Sequence, residues 1–143
     1  MFIGEYSHKI DNKRRVAIPA KFREKLGGKA VIAKGIDNCL VLYPLESWKE
    51  EAEKLENIPS GKRAARTYAR VKLASASDVK IDKTGRILIP DYLTKYANLE
   101  KKVILAGLYN RIEIWDKETW EEYKEKTSDE VGDMAERLKE LGI

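Results

Sequence analysis

Apolar and polar positions along the chain follow one order twice. The alternating runs YSHKI (from Tyr6) and VKI (from Val79) read as short strands. Each leads into a polar turn, DNKR from Asp11 and DKTG from Asp82. In such turns Asp accepts backbone N–H groups, and Gly85 is free to take a positive φ. The apolar runs RVAI and RILI then return as strands that stop at Pro19 and Pro90. Proline is tolerated at the first helical position, so AKFREKL and DYLTKYA are predicted to be short helices. KAVIAKG and KKVILAG, followed by NCLVLYP and NRIEIWD, predict two more strands in each copy. LESWKEEAEKLENI and KETWEEYKEKT carry apolar residues at helical spacing.

The two copies align residue by residue. A shift of 71 places Asp11 on Asp82, Arg15 on Arg86, Ile18 on Ile89 and Pro19 on Pro90. After one inserted residue the shift is 72, and Gly35 falls on Gly107, Tyr43 on Trp115 and Trp48 on Trp120. The chain therefore divides into a first unit at 5–50, a helical linker at 51–75, a second unit at 76–122 and a C-terminal helix at 123–143. A unit of about 45 residues buries too little apolar surface to be secure alone. Two copies in one chain can pair about a pseudo-twofold axis and share a core. The expected fold class is α+β, with the strands of both copies interleaved into one compact β-barrel and helices flanking it. Sharing a core accounts for the repeated apolar positions. It does not account for the repeated Asp and Arg at exposed turns.

Composition narrows the function. Hydrophobic residues make up 43% and charged residues 36% of the 143 positions, a globular composition with a heavily charged surface. No apolar run approaches the ~18–20 residues of a membrane span, and the N-terminus has no signal-like stretch, so no membrane partner and a cytoplasmic location are expected. One cysteine, Cys39, permits no internal disulfide. The net charge of +4 is unevenly spread. Lys9, Lys13, Arg14, Arg15, Lys21, Arg23, Lys25 and Lys29 crowd the first thirty residues, whereas acid dominates beyond Asp116. A basic head is compatible with a polyanion such as nucleic acid.

The turn residues admit two readings. Asp11 and Asp82 can cap their turns and pair with Arg15 and Arg86, which makes the motif structural. Alternatively the arginines contact phosphate or a base edge, for which the guanidinium fork is suited. Lys9 and Lys80, just before the turns, and Lys13, Arg14 and Lys83 within them could neutralise phosphates without reading sequence. Other chemistry fits poorly. His8 has no second histidine or cysteine pair with which to hold a metal. Cys39 and His8 lack the orienting group and oxyanion donors of a nucleophilic site. Asp11 and Asp82, one from each copy, evoke a two-carboxylate hydrolase, but the arginine four residues on would keep each ionised. No catalytic residue, cofactor or metal is expected. Tyr43, Trp48, Trp115 and Trp120 are expected to anchor helices to the core. The linker from Ser60 carries Lys62, Arg63, Arg66, Arg70 and Lys72 on a predicted helix, to be solvated, to touch phosphate, or to face a neighbour's acidic tail. Val131, Met134, Leu138 and Leu141 form an apolar stripe, suited to packing on the same chain or on another subunit.

The phrases KIDNKRRVAIP and KIDKTGRILIP resemble the turn motif of the SpoVT/AbrB swapped-hairpin family. Two copies, with MFIGEYSHKID, GIDNCLVLYPLESW and IEIWDKETWEEY, are similar to the MraZ family within it, over nearly the whole chain. The resemblance implies a nucleoid-associated, DNA-binding transcriptional regulator with no enzymatic activity. It implies ring-like homo-oligomers that recognise short repeated boxes in double-stranded DNA, at the promoter of the division and cell-wall gene cluster containing the regulator's own gene. It favours Arg15 as the leading DNA contact, with Arg86 behind it. A different class remains, a structural oligomer or protein-interaction module whose basic turns only form ion pairs between subunits. One departure stands out. The family turn has glycine before its arginine, as at Gly85, but the first copy has Arg14, which points to a first turn of different geometry.

Overall fold

The computed structural model describes all residues, Met1–Ile143. The first copy contributes β1 (Phe2–Lys9), β2 (Arg15–Ala17), α1 (Ala20–Leu26), β3 (Lys29–Lys34), β4 (Leu40–Pro44) and α2 (Leu45–Glu56). Helix α3 (Arg63–Ser75) leads to the second copy: β5 (Ser77–Lys80), β6 (Arg86–Leu88), α4 (Asp91–Tyr96), β7 (Lys102–Tyr109), β8 (Ile112–Asp116) and α5 (Lys117–Ser128). Helix α6 (Val131–Glu140) follows. Pro19 and Pro90 cap α1 and α4 from the preceding position, and their fixed φ turns the chain out of the strand and into the helix.

The copies exchange strands. β1 of the first copy pairs antiparallel with β7 of the second, and β5 of the second pairs with β3 of the first. Two pairings lie on the pseudo-twofold axis itself. In β2–β6 the equivalent residues Val16 and Ile87 face each other, and in β4–β8 Val41 faces its equivalent Glu113. A single core of 19 residues results, drawn from both copies, with Val16, Ile18, Ile87 and Ile89 wholly buried. Phe22 of α1 packs edge-on against Phe2 and Tyr6 of β1 at 5.3 and 5.1 Å. Gly107 lies so close to the β1 backbone that a Cβ there would sit 2.5 Å from the Ile3 nitrogen.

The strands do not join into one closed barrel. Six form an open antiparallel sheet in the order β1-β7-β8-β4-β3-β5, and β2 and β6 make a separate two-stranded ribbon. The expected closure fails because β2 and β6 hold three residues each and run directly into Pro19 and Pro90. A proline has no N–H to extend the ladder.

The aromatic pairs act as anchors. Tyr43 and Trp48 lie 5.4 Å apart in the first copy, and Trp115 and Trp120 lie 5.3 Å apart in the second, each pair pinning a helix to its preceding strand. Helix α5 is further tied to β1 through Glu5, which accepts hydrogen bonds from Trp120 Nε1 and Lys124 Nζ. Helix α6 is different, for every one of its residues is exposed. No helix of the chain is long and apolar enough to cross a membrane.

Candidate nucleic-acid interface

The two polar turns have the same backbone, bond for bond. The Arg14 N–H donates to the Asp11 carbonyl at 3.0 Å, and the Gly85 N–H donates to the Asp82 carbonyl at 2.9 Å. The Asp11 Oδ1 accepts the N–H groups of Lys13 and Arg15, as the Asp82 Oδ1 accepts those of Thr84 and Arg86. Each aspartate thus builds its turn. The expectation of a different first turn is corrected here, because Arg14 takes the left-handed conformation, φ 62°, that Gly85 takes at 81°. The strain of a side chain at positive φ is offset across the axis, where the Arg14 Nε donates to the Ile89 carbonyl at 3.3 Å.

The equivalent carbonyl, Ile18 O, accepts from Arg23 Nε at 2.7 Å. The Arg23 guanidinium fills the space a Cβ on Gly85 would need. Each copy's carbonyl therefore receives one guanidinium, from the turn in one case and from α1 in the other.

The turns meet across the axis. Arg86 Nε is 3.3 Å from Asp82 Oδ2, and Arg86 Nη1 is 3.8 Å from Asp11 Oδ2. Arg86 is thus braced by both aspartates. The Arg15 side chain forms no hydrogen bond or ion pair, so its guanidinium is uncommitted. Lys13 and Lys83 are exposed and lack ion-pair partners.

Hydrogen bonds from the backbone N–H of Arg15 and then of Lys13 hold the Asp11 carboxyl below its ordinary range. Asp82 is held at about 2, first by the Arg86 N–H and then by the Thr84 hydroxyl. Both carboxylates are anions near neutral pH, which removes the proton-sharing on which a two-carboxylate hydrolase depends. Burial pushes the Cys39 thiol up to about 12, so it is no ready nucleophile. His8 is half-buried, and desolvation followed by the nearby Arg23 charge lowers its pKa.

Sheet pairing brings together cations that lie far apart in the sequence and adds Lys102 to them. Lys9 lies directly opposite Lys102, and Lys80 directly opposite Lys29, all four exposed. Like charges in facing positions destabilise a sheet. The same ends of β1 and β5 lead into the two turns, and the Ile10 N–H donates to the Lys101 carbonyl. Opposed lysines flanking paired basic turns form a cation-rich rim that an anion would relieve. Lys72 behaves otherwise. It is 5% exposed, with its ammonium 5.2 Å from the Tyr43 ring, so it is not free to meet phosphate. Burial lowers its pKa.

Fold and site define a duplicated α+β protein whose copies exchange strands and bring two aspartate-built basic turns together. The family model described as "MraZ protein, putative antitoxin-like" matches residues 1–71 and again 73–141. The chain belongs to the MraZ family. Its relatives include the transcriptional regulator MraZ of Clostridium tetani, 48% identical over 143 residues. Those of Caldanaerobacter subterraneus subsp. tengcongensis and Thermoanaerobacter sp. are 50% and 51% identical over the same length. In all three the match covers 100% of both chains.

Proposed function

We propose that this chain is a sequence-specific DNA-binding transcriptional regulator of the swapped-hairpin class, acting as a homo-oligomer without enzymatic activity. Its full-length relatives are named transcriptional regulators. The observation that carries the reading is the unequal state of two equivalent arginines. Arg86 is spent on Asp82 and Asp11, whereas Arg15 has its guanidinium free at the junction of the turns. A free fork there can bond the O6 and N7 of a guanine in the major groove. Lys9, Lys13, Lys80 and Lys83 neutralise phosphates around it, joined by Lys29, Lys101 and Lys102. Arg14 and Arg86 serve first to fix the turns and are secondary contacts. Asp11, Asp82 and Gly85 set the shape of the turns.

Each unit offers DNA one short turn, which spans only a few base pairs. Several copies acting on repeated boxes in the promoter of the division and cell-wall cluster would gain avidity, since linked contacts form at high effective concentration. The protein works at the nucleoid in this reading. Retention on that promoter fragment at moderate salt, with competitor DNA present, is the test. A purely structural oligomer would bind the fragment no better than competitor.

A further inference from the structure

Lys72 is the one charged side chain of α3 that the fold takes out of water. It is 5% exposed, and its ammonium lies 5.2 Å from the centre of the Tyr43 ring. Its backbone carbonyl accepts the Ser75 hydroxyl, but the ammonium itself has no hydrogen-bond or ion-pair partner in the chain. An ammonium has three donors to satisfy, and burying one without a partner is costly. Burial accordingly lowers the Lys72 pKa, and the nearby Glu51 charge works against that shift.

Lys72 lines a pocket of about 260 Å³ between α2, α3 and the β7–β8 turn. Glu51 and Lys54 of α2 line it as well, as do Arg111 of the turn and Glu113 of β8. Three cations and two carboxylates thus face one small space, and no two of them form an ion pair. The Arg111 guanidinium donates to its neighbour Asn110 at 3.0 Å, and Glu113 accepts the Trp115 indole N–H at 3.1 Å. Glu51, Arg111 and Glu113 are half-buried, while Lys54 is exposed at the mouth. The rest of the wall is largely apolar, with Val41 and the Tyr43 and Tyr68 rings.

We infer that this pocket binds a free amino acid or a similar small zwitterion. Lys72, Arg111 and Lys54 take its carboxylate, and Glu51 and Glu113 take its ammonium. A simple anion such as phosphate would satisfy the cations but sit against two unrelieved carboxylates. A simple amine would meet the reverse problem. A ligand of both signs serves every charge that lines the space, and the charge-assisted hydrogen bonds it forms are the strong kind. The volume falls just below the ~300–1,000 Å³ of drug-sized sites, which suits a molecule of amino-acid size. The apolar wall receives its side chain. Lys72 is too enclosed for a DNA backbone, so this site is separate from the basic turns.

The test screens the full-length protein by thermal shift against the common L- and D-amino acids, one at a time. At least one should raise the melting temperature, and its Kd is then measured by calorimetry. Two analogues of that amino acid follow, the acid without its amino group and the amine without its carboxylate. Each should bind about 10-fold more weakly or worse, the worth of one charge-assisted hydrogen bond. K72M keeps the apolar stem and should lose affinity by a similar factor. It should be at least as stable as wild type, because an unpaired buried charge is gone. R111Q and E51Q repeat the test at half-buried positions, one at each end of the ligand. On binding, the Lys72 pKa, followed by NMR at its ε-carbon, should rise. If no amino acid stabilises the wild type, the inference is overturned. Phosphate or the amino-free acid binding as tightly as the amino acid would make this a plain anion site and overturn the zwitterion assignment. Unchanged affinity in K72M and R111Q would remove the proposed carboxylate contacts and overturn it as well.

Discussion

Arg86 of the second turn reaches Asp11 of the first, Nη1 to Oδ2, at 3.8 Å. The contact has no mirror image, since Arg15, the equivalent of Arg86, forms no ion pair. A duplicated sequence has therefore produced an asymmetric pair of turns. One arginine holds the junction together, and the other is left unpaired.

The route to that asymmetry can be probed at Gly85. G85A places a Cβ at φ 81°, where it meets the Arg23 guanidinium. Strain of this kind costs ~1–3 kcal/mol, and the Arg23 bond to Ile18 is disturbed as well. A lowered melting temperature is expected, with the steric part recovered in R23A/G85A. R14G should be close to neutral, because relief of the strained φ offsets the lost bond to Ile89, whereas R14V should destabilise. Thermal unfolding of the four variants checks the set. A G85A variant as stable as wild type would contradict it.

Acid should expose the role of the aspartates. Asp82 has its folded pKa depressed from 3.8 to about 2. A depressed folded pKa stabilises the protein above the unfolded value, and that stability is lost as pH falls through the folded one. Stability should therefore drop between about pH 4 and pH 2, with Asp11 contributing in the same direction. D82N should be less stable near neutral pH and show a shallower acid slope in urea unfolding. An unchanged slope would assign the acid response to other groups.

Much of this was legible in the sequence because the chain is its own alignment. The shift of 71 matched Asp11 to Asp82 and Arg15 to Arg86, and turn chemistry then explained why aspartate stands there. The interleaving of the copies followed from the size of one unit. Sheet closure did not, since it depends on how far β2 and β6 run before their prolines. Arg14 was misjudged because its left-handed backbone is held by a carbonyl 75 positions away. Lys29 is legible only as one cation of a basic stretch, and Lys102 not at all, because only strand exchange sets them opposite Lys80 and Lys9. Lys72 looked like one more surface cation on a basic helix, and its phase on α3 was the signal that it points inward.

The opposed lysines make a prediction about salt. Each phosphate neutralised contributes ~0.9 to the fall of log affinity with log salt. K9Q/K102Q should reduce that slope and weaken specific and bulk DNA binding alike, measured by anisotropy over a salt series. Removing the facing charges should also leave the free protein at least as stable. A changed ratio of specific to bulk affinity would make these lysines sequence readers.

The most direct measurement compares R15A with R86A on the promoter fragment bearing repeated boxes, by fluorescence anisotropy with excess competitor DNA. One bidentate base contact is worth ~1–3 kcal/mol, or roughly 5- to 150-fold in affinity. R15A should lose at least that much specific affinity, with unchanged folding and a far smaller loss on bulk DNA. R86A should show its main effect in turn stability, within the ~0–1 kcal/mol of an exposed ion pair. A folded R15A protein that binds the repeated boxes as tightly as wild type would contradict the assignment of the free arginine as the reading residue.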